Sequence, residues 1–126
     1  MKRCAVYISQ FAHQNPIPNA ARIGHFVASG LIRGVDPVTH AFPPTMEEQC
    51  RHMFANIRHT VEASGASLDD IIKVTFYMAT IERGPINAEW SVMFPDAETR
   101  PARQIMESPM EKDVLVQCDF LAVIGG

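Results

Sequence analysis

From Thr45 to Gly65 the apolar residues Met46, Cys50, Met53, Phe54, Ile57 and Val61 recur at helical spacing, and Arg51-His52 and Arg58-His59 read as a solvated face. Thr45 with Glu48 reads as a capping box, and Gly65 as the terminating glycine. The pattern predicts one long helix with a single buried stripe. A shorter helix is predicted after Pro85, with Ile86, Trp90, Met93 and Phe94 as its buried side and Pro95-Asp96 as its stop. Elsewhere the pattern is strand-like. Cys4 to Ser9 alternates weakly and predicts an edge strand. Arg22 to Ser29 reads as a strand closed by Gly30. Asp70 to Ala79 is rich in β-branched and aromatic residues and predicts a central strand. A further strand opens at Pro101-Ala102-Arg103, and the last runs from Asp113 to Val123. Two segments resist regular structure. Asn15-Pro16-Ile17-Pro18-Asn19 holds an extended loop, and Gly34 to Pro44 is a turn-rich loop with room for a short strand.

This order predicts an α+β fold, a mixed β-sheet with two helices on one face. The last strand adds a constraint. Val114, Val116, Cys118, Phe120, Ala122 and Ile124 lie on one side of it, yet the other side also carries Leu115, Leu121 and Val123. A strand apolar on both faces is buried on both. Two helices can cover only one, so sheet-to-sheet packing between subunits of a closed homo-oligomer is expected.

Bulk composition narrows the function classes. A chain of 126 residues is expected to be a single domain, residues 1–126, and 47% hydrophobic content is ample for its core. A formal net charge of −3 with no basic stripe argues against nucleic acid as a partner. No apolar run reaches the roughly 20 residues of a membrane helix. The basic start Met1-Lys2-Arg3 lacks the apolar stretch of a signal peptide. Cys4, Cys50 and Cys118 are widely spaced and odd in number, which fits reduced thiols in a cytoplasmic protein. His52 and His59 stand two helical turns apart, too far for one ion, and the other histidines form no ligand pair, so no metal site is expected. Cys118 reads as core.

The candidate chemistry lies on the last two strands. Arg103, Ile105 and Glu107 share one face of the first, and Leu115, Gln117, Asp119 and Leu121 share one face of the second. If those faces meet, a guanidinium and a carboxylate sit in one apolar pocket. The guanidinium fork grips a carboxylate substrate at two points, and the acid moves protons for it. Read from the residues alone, Arg103 is equally an interface arginine, and Asp119 its salt-bridge partner.

Ser29-Gly30, Gln49, Asn56-Ile57, Gly65, Asp70-Ile71-Ile72-Lys73-Val74-Thr75, Ile86-Asn87 with Phe94, Pro101-Ala102-Arg103 and Val116-Gln117-Cys118-Asp119 together carry a resemblance. In their order and spacing, from about Pro16 to the C-terminus, the chain resembles the RidA (YjgF) family. The resemblance implies a chorismate-mutase-like fold, with three sheets forming a central barrel in a homotrimer and sites in the clefts between subunits. It implies hydrolysis of reactive enamines and imines, such as 2-aminoacrylate, 2-iminopropanoate and 2-iminobutanoate, to 2-oxo acids and ammonia, without cofactor or metal. The family's carboxylate-binding arginine falls on Arg103, its helix asparagine on Asn87, and its acidic residue, commonly glutamate, on Asp119. Backbone groups near Ser29-Gly30 are expected to meet the imine nitrogen. Ile17 takes the place of a cleft tyrosine, and Ile105 that of a frequent cysteine.

These departures make the cleft more apolar. Asp119 is one methylene shorter than glutamate, which withdraws its carboxyl by roughly 1.5 Å. Apolar Ile105 and Leu121 would raise its pKa and Arg103 would lower it. Two alternatives stand beside deamination of small imino acids: a non-catalytic protein that binds or senses small carboxylic metabolites, and a catabolic enamine deaminase acting on a larger ring-cleavage product. An endoribonuclease activity, with which some relatives are labelled, lacks a basic groove here.

Overall fold

The long apolar stripe becomes helix α1, Met46–Ala63, in the computed structural model of the chain, which describes residues 1–125. The Thr45 hydroxyl accepts the Glu48 N–H at 3.2 Å, so half of the expected capping box is present. The complete box forms elsewhere, between Ser67 and Asp70, on a short 3-10 turn at Leu68–Asp70. Asp70 is therefore a cap, and the strand after it begins one residue later than its composition suggests. Gly65 ends α1 in the left-handed region, at φ 82°, as a terminating glycine should. The Arg22 guanidinium closes the same end by donating to the Ser64 carbonyl at 3.1 Å.

Seven strands form one mixed sheet: β1 (Cys4–Val6), β2 (Ala20–Ile23), β3 (Phe26–Ser29), β4 (Ile32–Arg33), β5 (Ile71–Met78), β6 (Ala102–Glu107) and β7 (Val116–Val123). Their order is β1-β2-β3-β7-β5-β6, with β4 also paired to β7. Only β5 and β6 run parallel, joined by helix α2, Arg83–Met93. The expected single strand from Arg22 to Ser29 is instead a hairpin of β2 and β3. Gly24, at φ 57°, supplies the positive φ that a two-residue hairpin turn requires, and His25 completes it. The weak alternation after Val6 gives a 3-10 turn at Ser9–Phe11 rather than more strand.

Both helices cover one face of the sheet. Val27, Val74, Phe76, Met78, Val116, Cys118, Phe120 and Ala122 point into this layer and are buried against Met53, Phe54, Ile57, Val61, Ile86 and Trp90. Stacked and edge-on aromatic contacts run through it from Phe54 to Phe76, Trp90 and Phe94, with ring centres 4.8 to 6.2 Å apart. Two buried polar residues of α1 tie the loops down. Gln49 binds the Pro43 and Asp113 carbonyls and the Leu115 amide, and Asn56 binds the carbonyls of Arg33 and Val35. Among the described residues neither helix covers the opposite sheet face. Phe26 is 68% exposed there beside half-exposed Ile23 and Leu121, and Met106 is half-exposed on the same face at the far edge of the sheet.

Candidate functional site

Arg103 sits on β6 at the rim of the helix layer, half-buried. Its guanidinium carbon lies 5.0 Å from the centre of the Trp90 ring, and its Nη2 donates to Asn87 Oδ1. Asn87 and Trp90 stand three apart on α2, so one helix face supplies both contacts. Nη1 is fully buried and has no hydrogen-bond partner. A buried guanidinium nitrogen without an acceptor is costly, and an anion is the acceptor it suits best. Burial, and then the nearby Arg83, draw the Arg103 guanidinium below its ordinary pKa. Ile105 is two residues on along the same face, half-buried against the core.

Asp119 is not in that pocket. Val74 of β5 pairs with Arg103 on one side and with Phe120 on the other. Paired residues share a face, so Arg103 goes with buried Val74 and Phe120. Asp119 goes with Thr75 and Gln104 on the bare face. The expected meeting of the two faces therefore does not occur within one chain, because β5 lies between β6 and β7 and fixes their relative register. A direct Arg103–Asp119 salt bridge is absent for the same reason; the ion pair among the described residues joins Arg33 to Glu111 at 3.1 Å. Asp119 instead accepts the Tyr77 hydroxyl at 2.9 Å. Burial, and then this bond to Asp119, push the Tyr77 phenol above its usual pKa. Ile105, expected beside Asp119, is on the other face.

Ser29 and Gly30 lie next to β7 at the level of Asp119 and Phe120. The Ser29 hydroxyl accepts the Phe120 N–H at 2.9 Å and keeps its own proton to donate. The Gly30 N–H is already committed to the Asn19 carbonyl at 2.8 Å, so it is not free for an imine nitrogen as expected. Asn19 also anchors the preceding loop, binding the Ile8 amide and the Phe11 carbonyl. That loop holds Ile17 at the wall of a groove of about 600 Å³, shared with Phe11, His13, Leu31, Arg33 and Glu111. Arg103 does not line it. The structure thus gathers Arg103, Asn87 and Ile105 in one place, sets Asp119 on the bare face and Ser29 and Gly30 beside Phe120, and holds Ile17 in a groove of its own.

Two functional neighbours escape sequence reasoning. Trp90 reads as core, and it is, but its ring also carries the guanidinium. Tyr77 sits in an apolar run, and only its alternation with Phe76 and Met78 marks it for the other face. Cys50 and Cys118 are buried, and burial pushes the Cys50 thiol up to about 12 and raises that of Cys118 as well. Both are core residues, held away from solvent in the thiol form. His59, expected in solvent, packs edge-on against Phe11 at 5.3 Å. Among the described residues no three histidine, cysteine, aspartate or glutamate side chains gather in a metal-binding cluster, and no helix is long and apolar enough to cross a membrane.

A mixed sheet with two helices on one face defines a small α+β protein, with a buried arginine nitrogen that lacks an acceptor at its edge. A family model described as Endoribonuclease L-PSP matches residues 8–124, and the chain belongs to this family, also called RidA or YjgF. It is 32% identical over 110 residues to a RutC family protein of Pyrococcus abyssi, covering 85% of both chains. It is 32% identical over 100 residues to a 2-iminobutanoate/2-iminopropanoate deaminase of Salmonella typhimurium, covering 77% of both. Among solved structures, a putative endoribonuclease of Thermotoga maritima superposes with a TM-score of 0.88 at 26% identity over the whole of both chains. The YjgF gene product of Escherichia coli superposes with a TM-score of 0.85 at 25% identity, over 95% of this chain and 98% of that one.

Proposed function

We propose that this protein is a cytoplasmic deaminase that hydrolyses reactive 2-imino acids, 2-iminopropanoate and 2-iminobutanoate among them, to 2-oxo acids and ammonia. The observation that carries the reading is the buried, unpartnered Nη1 of Arg103. Asn87 holds the other end of the fork and Trp90 its plane, which fixes the guanidinium, and a small shift of the side chain that uncovers Nη1 gives a substrate carboxylate its two-point grip. The deaminase name borne by a relative at 32% identity supports the same reading.

Arg103 and Asp119 face opposite sides of one sheet, so a site that uses both takes them from different copies. We therefore propose a homotrimer whose bare sheet faces pack together into a barrel. Arg103, Asn87 and Ile105 of one protomer meet Asp119, Ser29, Gly30 and Ile17 of the next. The exposed apolar face around Phe26 supports this assembly. Light scattering on the eluting protein should give three times the chain mass, and Phe26→Glu should lower it; a wild-type monomer overturns the assembly.

In the reaction, water adds to the imine carbon while Asp119 takes its proton. Asp119 returns that proton to the nitrogen, directly or through a second water that makes up for its short side chain. The hydroxyl of the resulting carbinolamine then gives up its proton, which Asp119 carries to the amine in the same way; the carbon–nitrogen bond breaks, ammonia leaves, and the former water oxygen becomes the carbonyl of the 2-oxo acid. The Ser29 hydroxyl, whose proton is not used in its bond to Phe120, is assigned to donate a hydrogen bond to the departing group. Arg103→Ala should abolish ammonia release from 2-iminopropanoate above the buffer rate. A mutant as fast as wild type refutes the mechanism. The second reading, binding without turnover, draws on the apolar Ile17 and on Tyr77 occupying one Asp119 oxygen. Thermal stabilisation by 2-oxobutanoate with no ammonia release from several imino acids would favour it.

A further inference from the structure

Arg83 opens α2, one helical turn before Asn87 and two before Trp90. The spacing i, i+4, i+7 puts all three on the helix face along which the Arg103 guanidinium lies. Arg83 is exposed at the start of that face, and its charge helps to draw the Arg103 guanidinium below its ordinary pKa. Two arginines thus share one wall, and among the described residues neither makes an ion pair with a carboxylate. The first turn of α2 holds no acidic residue, the Glu82 side chain makes no capping bond, and the ion pair among the described residues is the separate Arg33–Glu111 contact. This happens in a chain whose acidic residues outnumber its basic ones by 14 to 11. Like charges held together without counter-charge repel, and the buried Nη1 of Arg103 adds an unmet donor to that cost.

A ligand with two carboxylates removes both penalties. Arg83 stands four residues before Asn87, the residue that holds Arg103, and such residues have Cβ atoms about 5–6 Å apart, which brings Arg83 within reach of the far end of a four- or five-carbon dicarboxylate bound at Arg103. We propose that the cleft is built for 2-imino dicarboxylates, with the carboxylate beside the imine on Arg103 and the distal one on Arg83. The inference rests on the deaminase reading for its chemistry but not for its binding test. The hydrolysis is unchanged: water enters at the imine carbon and ammonia departs.

The binding arm uses stable product acids. Calorimetry on the wild-type oligomer should show 2-oxoglutarate binding about ten-fold more tightly than 2-oxobutanoate, the scale of one partly exposed charge-assisted contact. Arg83→Ala should erase that preference and Arg83→Lys should keep part of it. Equal affinity for the two acids in the wild type, or no binding of either, overturns the proposal. The turnover arm uses imines generated in place from glutamate and alanine by an amino-acid oxidase. There Arg83→Ala should lower the dicarboxylate-to-monocarboxylate ratio of kcat/KM about ten-fold, through KM. A ratio that Arg83→Ala leaves in place overturns it as well. Absence of turnover on both imines, with the binding preference intact, counts against the deaminase reading and leaves dicarboxylate recognition supported.

Discussion

Arg103→Lys separates a fork from a point charge. Lysine keeps the cation but loses the planar face over Trp90, the second nitrogen on Asn87 and the parallel pair of bonds that a carboxylate accepts. Hydrogen bonds to a charged group contribute about 1.5–3 kcal/mol each, and a cation over an indole at an open site about 0.5–1 kcal/mol. Arg103 is half-buried, so solvent weakens both, and one bond to the carboxylate survives in the lysine variant. The net loss comes to about 2 kcal/mol, or roughly 30-fold in Kd. Calorimetric titration of 2-oxobutanoate into wild type, Arg103→Lys and Arg103→Met measures it. Arg103→Met should bind too weakly to quantify. Affinity of Arg103→Lys within three-fold of wild type would mean that any positive charge suffices, and that the preset geometry at Asn87 and Trp90 contributes nothing.

Gln49→Leu keeps the volume but strands two carbonyls and the Leu115 amide, so urea unfolding should show about 3 kcal/mol lost with little change in slope. An effect below about 1 kcal/mol would show that these loops hold without their tie. In a Tyr7→Phe background, near-ultraviolet titration of the Tyr77 phenol should move to lower pH with Asp119→Asn, since a neighbouring carboxylate disfavours the phenolate. No movement would place the two groups apart in solution. Asp70 accepts from the Gly125 and Ser67 amides, and these bonds hold its carboxyl below the usual range. A depressed folded-state pKa gives stability that is present above the unfolded value and is lost as pH falls through the folded one. Asp70→Asn should therefore lower Tm at neutral pH, and its gap from wild type should narrow as the medium is acidified. A gap that is constant with pH refutes the assignment.

The two helices were legible because an apolar stripe of period 3.6 has no other stable solution, and Trp90 and Phe94 behave as their spacing requires. The hairpin was not, because Arg22 to Ser29 has the length and apolar content of one strand, and the turn depends on one glycine adopting positive φ. Within each strand, alternation sorted the residues onto faces correctly: Arg103 with Ile105, Asp119 with Gln117 and Leu121. It carried no information on how the face of one strand relates to that of another. That relation is set by β5, which runs between β6 and β7 and matches Val74 to both Arg103 and Phe120. A shift of one residue in either ladder would have put Arg103 and Asp119 together. Period 2 makes register a binary choice, and no local pattern on β6 or β7 records which choice is made. Tyr77 was overlooked for a related reason, since a phenol in an apolar strand looks like core until its face is known.

That binary choice has a consequence for activity. Side chains on opposite faces of one sheet are separated by the backbone layer, and no rotamer of Arg103 or Asp119 crosses it. On the proposed reading, turnover that needs both residues is then confined to the assembled protein, and dissociation should remove it even where each chain stays folded. Serial dilution provides the test. The kcat per chain should fall with concentration along the same curve as the oligomer fraction seen by light scattering or fluorescence anisotropy, while far-ultraviolet circular dichroism stays constant. Mixing Arg103→Ala with Asp119→Ala chains is sharper. Each homo-oligomer should be inactive, yet hybrids that pair an intact Arg103 with an intact Asp119 across one interface should recover part of the rate, and every such hybrid also contains interfaces with neither. Full activity from dissociated chains would mean that one of the two residues takes no part in the reaction, and no recovery on mixing, once subunit exchange is verified, would mean that the site is not shared between copies.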